Sequence, residues 1–302
     1  MALYLVTGGA DFIGSHLCDA LLAAGRAEQL DGRCELIRGD VIDPVAVGAA
    51  MAGVAGCFHL AAIASVARGN MEWRATHLVN QTGTVTVLDA ARAAGGVPVV
   101  YASSAAVYGH LGDTVAREDL RPGPLTAYGA DKLGSELHAA AALHVHGVPS
   151  VGLRFFNVYG PRQDPHSPYS GVISIFAALV AADRTVTVHG DGAQLRDFVF
   201  VGDVVAHLLA SMRHLDTNRV SAVFNVCTGH GTSVLALAQT LGRLNGRAAR
   251  IVHGPARPGD IRRSLGCQIA CNRDPLFASK NDPPVGLFLG ALGALEAASS
   301  GG

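Results

Sequence analysis

The chain has 302 residues, 49% of them apolar, and a formal net charge of −1. So balanced a chain has no global basic field to recruit nucleic acid or an anionic lipid surface, so an anionic ligand has to be held by local arginines. Every long apolar run is cut by charge, Gly or Pro before it reaches spanning length, which excludes a membrane helix; the absence of a basic, then apolar, leader before the first strand makes a cytoplasmic location the expectation.

In chain order, apolar runs of strand length alternate with Ala/Leu-rich helical stretches. Strands are predicted over residues 3–7, 34–38, 57–61, 97–103 and 150–156, and helices over 15–24, 82–94 and 127–146. That alternation predicts an α/β fold, a doubly wound parallel sheet with helices on both faces. Beyond "NVYGPR" it loosens into a helix over 172–182, short strands over 185–189, 198–201 and 224–226, and further helices. A nucleotide-binding domain over 1–160 and a smaller domain over 161–302 that closes on a ligand are expected, ending in a Gly/Ala/Ser-rich tail. The six cysteines, Cys18, Cys34, Cys57, Cys227, Cys267 and Cys271, are scattered. Only the last two are close, as C-x3-C with no second pair for zinc, so reduced thiols and no metal are expected.

"TGGADFIG" lies between a predicted strand and a predicted helix. There a glycine turn lays backbone N–H groups and a helix N-terminus against a pyrophosphate; read alone, it is equally a tight strand-to-helix turn. A dinucleotide fold then needs a second parallel strand ending in an acid about 20 residues past the turn. Here "GRAEQLDGRCELIRGD" offers no Val/Ile run, and Asp31 has the spacing but not the surroundings. The economical reading is that a strand and its loop are absent.

"YASSAAVYG" ends a strand in hydroxyls, and "AYGADK" puts Tyr128 and Lys132 four apart on one helix face. A phenol with an ordinary pKa near 10 is a poor base at neutral pH, and an ammonium one turn away favours the phenolate. The only other lysine is Lys280, so the pairing carries information that a solvated lysine in a lysine-rich chain would not.

With these motifs together, residues 3 to about 264 resemble the extended short-chain dehydrogenase/reductases, specifically the NAD-dependent nucleotide-sugar epimerases. The resemblance implies a Rossmann-type sheet, NAD as cofactor, a UDP-sugar as substrate and a homodimer. It implies that Ser104 binds the sugar O4 and relays its proton, that Tyr128 is the base, and that Lys132 also holds the nicotinamide ribose. It assigns the cofactor to Gly8, Asp11, Phe12, Ile13 and Gly14 of the turn, Asp40 and Val41 near the adenine, Leu60, Ala61 and Ala62 of "FHLAA", Asn80 and Phe155. Asp11 replaces a glycine of the family pattern T-G-x-x-G-x-x-G, and a carboxylate there repels a diphosphate. For the substrate it assigns Asn157, Arg196 and Arg257 to the diphosphate, Asp260 to a ribose hydroxyl, His189 to the uracil and Ser264 to the far wall of the sugar pocket. Past Ser264 the tail diverges.

Related dehydratases carry an acid pair directly after the motif serine, and related decarboxylases a glutamate; this chain has Ala105 and Ala106. Reversible oxidation at C4 is what remains. The expected activity is therefore UDP-sugar 4-epimerisation, on UDP-glucose/UDP-galactose and the N-acetylated pair. The alternatives are a homologue that binds nucleotide sugars but has lost NAD, and a UDP-glucuronate 4-epimerase.

Overall fold

The computed structural model describes residues 2–24, 34–165, 171–257 and 261–267. The chain opens with β1 (Tyr4–Thr7) and α1 (Phe12–Ala24), then α2 (Pro44–Met51), β2 (Gly56–His59), α3 (Val66–Met71), α4 (Trp73–His77), a π-helical turn over Leu78–Thr82 and α5 (Gly83–Ala93). It continues through β3 (Val99–Ser104), a 3-10 turn over Ala105–Tyr108, α6 (Ala127–His146), β4 (Ser150–Phe155), β5 (Asn157–Tyr159), α7 (Val172–Ala181), β6 (Val186–His189) and β7 (Leu195–Phe200). The last elements are α8 (Val201–Thr217), β8 (Ser221–Val226), β9 (Gly231–Ser233), α9 (Val234–Leu244), β10 (Ile251–Gly254) and β11 (Arg263–Ser264).

The described residues form two compact units. The first comprises residues 1–109, 121–155 and 204–224, and the second 110–120, 156–203 and 225–302. The main sheet has the order β1-β2-β3-β4-β8. Pairing is parallel from β1 through β4. β8 runs the same way, because the hydrogen bonds Ser150 N to Val220 O and Phe156 N to Val226 O advance together along both strands. β2 and β4 are buried at every residue, as strands covered on both faces are, and their polar members His59, Ser150 and Arg154 are taken in with hydrogen-bond partners. Val47, Met51, Val87, Leu88, Val99, Ala139 and Val148 from strands and helices fill one core beside them.

β1 is the exception. All four of its residues are only half-buried, and among the described residues it pairs with β2 alone. The strand predicted over 34–38 does not form: residues 34–40 are exposed and carry no ladder, with Leu36 71% and Ile37 53% exposed. The physical reason is that a strand is made by its partner's N–H and C=O groups, and among the described residues nothing pairs with 34–38. Asp31 lies outside the described residues.

In the second unit β7 pairs in parallel with β5 and β11 and antiparallel with β9, and β6 pairs with β10. Tyr159, Phe176, Val186, Val188, Phe198, Leu237 and Leu241 make its core between the strands and helices α7 and α9.

Candidate active site

β3 and α6 bring the catalytic candidates of the first unit together. α6 starts at Thr126, whose Oγ1 accepts from Gly129 N at 3.1 Å, and stops at Gly147 in the left-handed region (φ 68°). The cap fixes Tyr128 in the first turn. Ser104 closes β3 and accepts from Ala106 N at 3.1 Å, so its hydroxyl points at the start of the 3-10 turn. Burial raises the Tyr128 phenol above its ordinary value, and the neighbouring Ser104 hydroxyl works in the opposite direction. Lys132 is 4% exposed, and its Nζ donates to Ala102 O at 2.8 Å and lies 5.9 Å from the Tyr128 ring centroid. Burial pulls its ammonium down to about 8, against the opposing pull of Asp131.

Behind this face, α6 is bolted to the sheet by a buried ion pair. Arg154 of β4 grips Glu136 through Nη2 at 2.7 Å and Nε at 2.9 Å, and Ser103 Oγ donates to Glu136 at 2.5 Å. Arg154 Nη1 also donates to the Tyr108 hydroxyl at 2.8 Å. Both charges are at most 6% exposed, so the bidentate geometry and the extra hydrogen bonds are what make burial tolerable. Sequence reading missed this pair; the signal available was Glu136, one helical turn beyond Lys132.

The glycine turn is built for close approach. Gly8 has φ +71°, and a Cβ there would lie 2.9 Å from Ala61 N; a Cβ on Gly14 would lie 2.0 Å from Gly8 O. Asp11 N donates to Gly8 O at 3.1 Å, which closes the turn, and the exposed Asp11 carboxylate accepts from Phe12 N at 2.8 Å. Phe12 and Ile13 begin α1. The chain thus supplies its own anion to the first amide of the helix.

A second feature the sequence did not announce holds residues 60–63 beside this turn. Leu60 N and Ala61 N both donate to Thr7 Oγ1 at 3.2 Å, which leaves the Thr7 proton for His59 Nδ1 at 2.8 Å. His59 then donates from Nε2 to Thr84 Oγ1 at 3.1 Å, and Thr84 donates to Asn80 O at 2.6 Å. Asn80 clamps Ile63 from both sides, accepting from its N–H at 2.7 Å and donating to its carbonyl at 3.1 Å. Burial, with Lys132 as a lesser cause, pulls His59 down to about 3, so the ring stays neutral and carries the single N–H this chain of bonds needs. Asn80 sits in the π-helical turn, a distortion that re-aims side chains. Ala62 follows in the same segment, Asp40 turns back to accept from Ile42 N at 3.1 Å, Val41 packs where a Gly83 Cβ would sit, and Phe155 is buried at the end of β4.

In the second unit, β11 lies against β7 with Ser264 opposite Arg196. Arg196 Nη1 donates to Leu195 O at 2.9 Å and Ile261 O at 2.7 Å, so the described structure shows this guanidinium tying strands together. Asn157 Nδ2 donates to Asp197 O at 3.2 Å. Asp197, fully buried, gathers Thr228 N, Thr228 Oγ1, Gly229 N and Gly266 N around its carboxylate. The His189 ring donates from Nδ1 to Pro255 O at 3.1 Å, and Arg257 is exposed. Asp260 lies outside the described residues.

The sequence profile described as the NAD dependent epimerase/dehydratase family matches residues 4–227. The chain belongs to that family. It is 37% identical to the UDP-glucose 4-epimerase of Mycolicibacterium smegmatis over 279 residues, covering 86% of this chain and 88% of the relative. A UDP-glucose 4-epimerase from Thermotoga maritima, solved with UDP-glucose, superposes with a TM-score of 0.88 at 29% identity, covering 98% of each chain. A UDP-N-acetylglucosamine 4-epimerase from Methanobrevibacter ruminantium superposes with a TM-score of 0.89 at 26% identity, covering 99% and 98%.

NAD is the cofactor of the epimerase/dehydratase family, and the turn fits it where the backbone decides. Gly8 and Gly14 let β1, the turn and α1 approach one another more closely than any Cβ would allow, and the Thr7–His59–Thr84–Asn80 chain fixes residues 60–63 beside the turn. Asp11 is the one residue of the turn with the wrong charge for a diphosphate.

Proposed function

We propose that this protein is a UDP-sugar 4-epimerase, acting on UDP-glucose/UDP-galactose and on the N-acetylated pair, as a cytoplasmic homodimer. The observation that carries the reading is the constellation of half-buried Ser104 and Tyr128 with buried Lys132. In this reading Tyr128 takes the proton of the sugar 4-hydroxyl and later returns it, and Ser104 holds that hydroxyl and passes the proton across. Lys132, charged and rigidly tethered to Ala102 O, favours the phenolate. NAD, when bound, supplies the hydride acceptor and donor, with Gly8, Phe12, Ile13, Gly14, Asp40, Val41, Leu60, Ala61, Ala62, Asn80 and Phe155 as its binding residues. The 3-10 turn after Ser104 carries only Ala105 and Ala106 where elimination would need an acid, which supports epimerisation over dehydration.

The UDP part of the proposal draws on the relatives, two of which are named UDP-glucose 4-epimerases and one a UDP-N-acetylglucosamine 4-epimerase. Asn157, His189, Arg196, Arg257, Asp260 and Ser264 are the proposed substrate residues. The homodimer is supported by Leu78 and Val85, one heptad apart, and Leu137 of α6, which are exposed apolar residues on helices next to one another.

The test is a panel of UDP-glucose, UDP-N-acetylglucosamine and UDP-glucuronate followed by proton NMR at H4, with mass spectrometry of the denatured protein for NAD. Inversion at C4 is expected for the first two. No turnover of any of the three by NAD-loaded protein overturns the proposal. A second reading, a non-catalytic nucleotide-sugar binder, is favoured by the Asp11 carboxylate on Phe12 N and by a half-buried β1 that pairs, among the described residues, with β2 alone; its signature is protein that neither retains nor takes up NAD.

A further inference from the structure

β11 is a strand of two residues laid against β7. So short a ladder is weak by itself, yet it carries Ser264 and follows Ile261, whose carbonyl accepts from Arg196 Nη1 at 2.7 Å. What holds it is built just past its end, from polar groups of the second unit. Gly266 N donates to Asp197 Oδ2 at 3.3 Å, Ala116 N to Leu265 O at 2.9 Å, and Cys267 N to Ala116 O at 2.8 Å. Asn225 Nδ2 donates to both Ala116 O and Cys267 O, each at 3.1 Å. A Cβ on Gly266 would lie 2.5 Å from Cys227 Sγ and 2.7 Å from Phe156 Cζ, so the segment is seated in close contact.

We infer that Asp197 and Asn225 are positioning residues for the nucleotide diphosphate: they lock residues 263–267 in place, and with them the backbone that orients Arg196 and Ser264. The inference rests on the substrate roles proposed above for Arg196, Asn157 and Ser264 and deepens them. Both residues are fully buried. A carboxylate ringed by neutral donors carries a desolvation cost that an uncharged side chain would not. Its advantage is geometric. It only accepts, and on both oxygens, so Oδ1 receives Thr228 N and Oγ1 while Oδ2 receives Gly229 N and Gly266 N. An amide or hydroxyl there would bring its own hydrogens into that cluster of donors. Asn225 is the complement, an NH2 group shared between two carbonyls. Asp197 also adjoins Arg196 on β7, where successive side chains leave opposite faces, so it anchors one face while the guanidinium works from the other. Its carbonyl accepts from Asn157 Nδ2 at 3.2 Å, so Asp197 touches or adjoins two of the proposed diphosphate residues.

Calorimetric titration of the purified protein with UDP reads the effect without turnover. Asp197→Ala removes the acceptor of Gly266 N and should weaken UDP by about tenfold or more. The KM for UDP-galactose should rise by a similar factor while kcat at saturation changes by less than about threefold. Asn225→Ala frees Cys267 O from the other side and should do the same, which keeps the test open where Asp197→Ala does not fold. Thr228→Val controls for lost stability alone. It takes a donor from Oδ1 and leaves Oδ2 on Gly266 N, so its Tm should fall with UDP affinity within about twofold of wild type. UDP affinity unchanged in Asn225→Ala, and in Asp197→Ala where it folds, overturns the inference. A loss in Thr228→Val as large as theirs overturns it too, since the grip on residues 263–267 is then not what matters. Wild-type protein that binds UDP but turns over no UDP-sugar would sink the proposed function, and the inference would still stand on the UDP shifts of the variants.

Discussion

Replacing Lys132 by methionine should stabilise the fold while ending its chemistry. In the unfolded chain this amine has its ordinary value of 10.5, and in the folded protein burial holds it at about 8. That gap, at about 1.4 kcal/mol for each pH unit, is about 3 kcal/mol. Methionine fills similar space without a charge but abandons the bond to Ala102 O, which costs about 1 kcal/mol. The net gain expected near pH 7 is about 2 kcal/mol. Because the folded value is the lower one, the penalty carried by wild type is complete below pH 8, shrinks as pH rises toward 10.5 and is gone above it. Urea unfolding of nucleotide-free wild type and Lys132→Met at pH 7 and pH 10 should therefore show the advantage of the variant at the lower pH and its near disappearance at the higher. A variant less stable than wild type at pH 7, or a difference that is flat with pH, would refute the reasoning, since either means the ammonium is not held against its own desolvation.

The layered fold was legible because buried parallel strands leave continuous apolar runs. β2, β3 and β4 stand within two or three residues of where the runs placed them, and so does α6 with its threonine cap and glycine stop. The segment "CELIR" was misread for an instructive reason. Its composition suits a strand, yet a strand is a property of a pair, and among the described residues it has no partner. β1, which pairs with β2 alone among the described residues, leads straight into Gly8 and the turn where Asp11 puts a carboxylate on the first amide of α1.

The site was legible in so far as its chemistry is local. Tyr128 and Lys132 declare themselves by one helical turn, and Ser104 by its place at the end of β3. The Thr7–His59–Thr84–Asn80 chain joins residues up to 77 positions apart through hydroxyls and one imidazole, and no spacing rule connects them. Arg196 shows the other limit. The sequence placed the strand over 198–201 and left Arg196 outside it, whereas β7 begins at Leu195, and the direction of the guanidinium, donating to the Leu195 and Ile261 carbonyls, depends on β11 lying alongside, which only folding decides.

Tyr128→Phe should lower kcat by about 10²-fold or more with UDP-sugar affinity nearly unchanged, measured by turnover and calorimetry, because the phenol acts on a proton in the transition state. Asp11→Gly should tighten NAD on the order of tenfold in calorimetry, since the carboxylate on Phe12 N no longer opposes the diphosphate; unchanged affinity would exonerate Asp11. Glu136→Gln should destabilise by about 3 kcal/mol in urea unfolding, as it leaves the buried Arg154 charge without its counter-ion; a loss under 1 kcal/mol would mean Arg154 finds water. Ser264→Tyr tests the sugar wall. Ser264 stands opposite Arg196 on a two-residue strand whose far end is fixed by Gly266 N on the Asp197 carboxylate, so the backbone at 264 cannot retreat to make room for a larger side chain. If Ser264 lines the sugar pocket as proposed, a phenol ring there fills space that the 2-acetamido group needs and the 2-hydroxyl does not. Conversion of UDP-N-acetylglucosamine should fall at least tenfold relative to UDP-galactose, by steric exclusion. An unchanged ratio of the two rates, measured by NMR in one mixed reaction, would show that the wall of the pocket lies elsewhere.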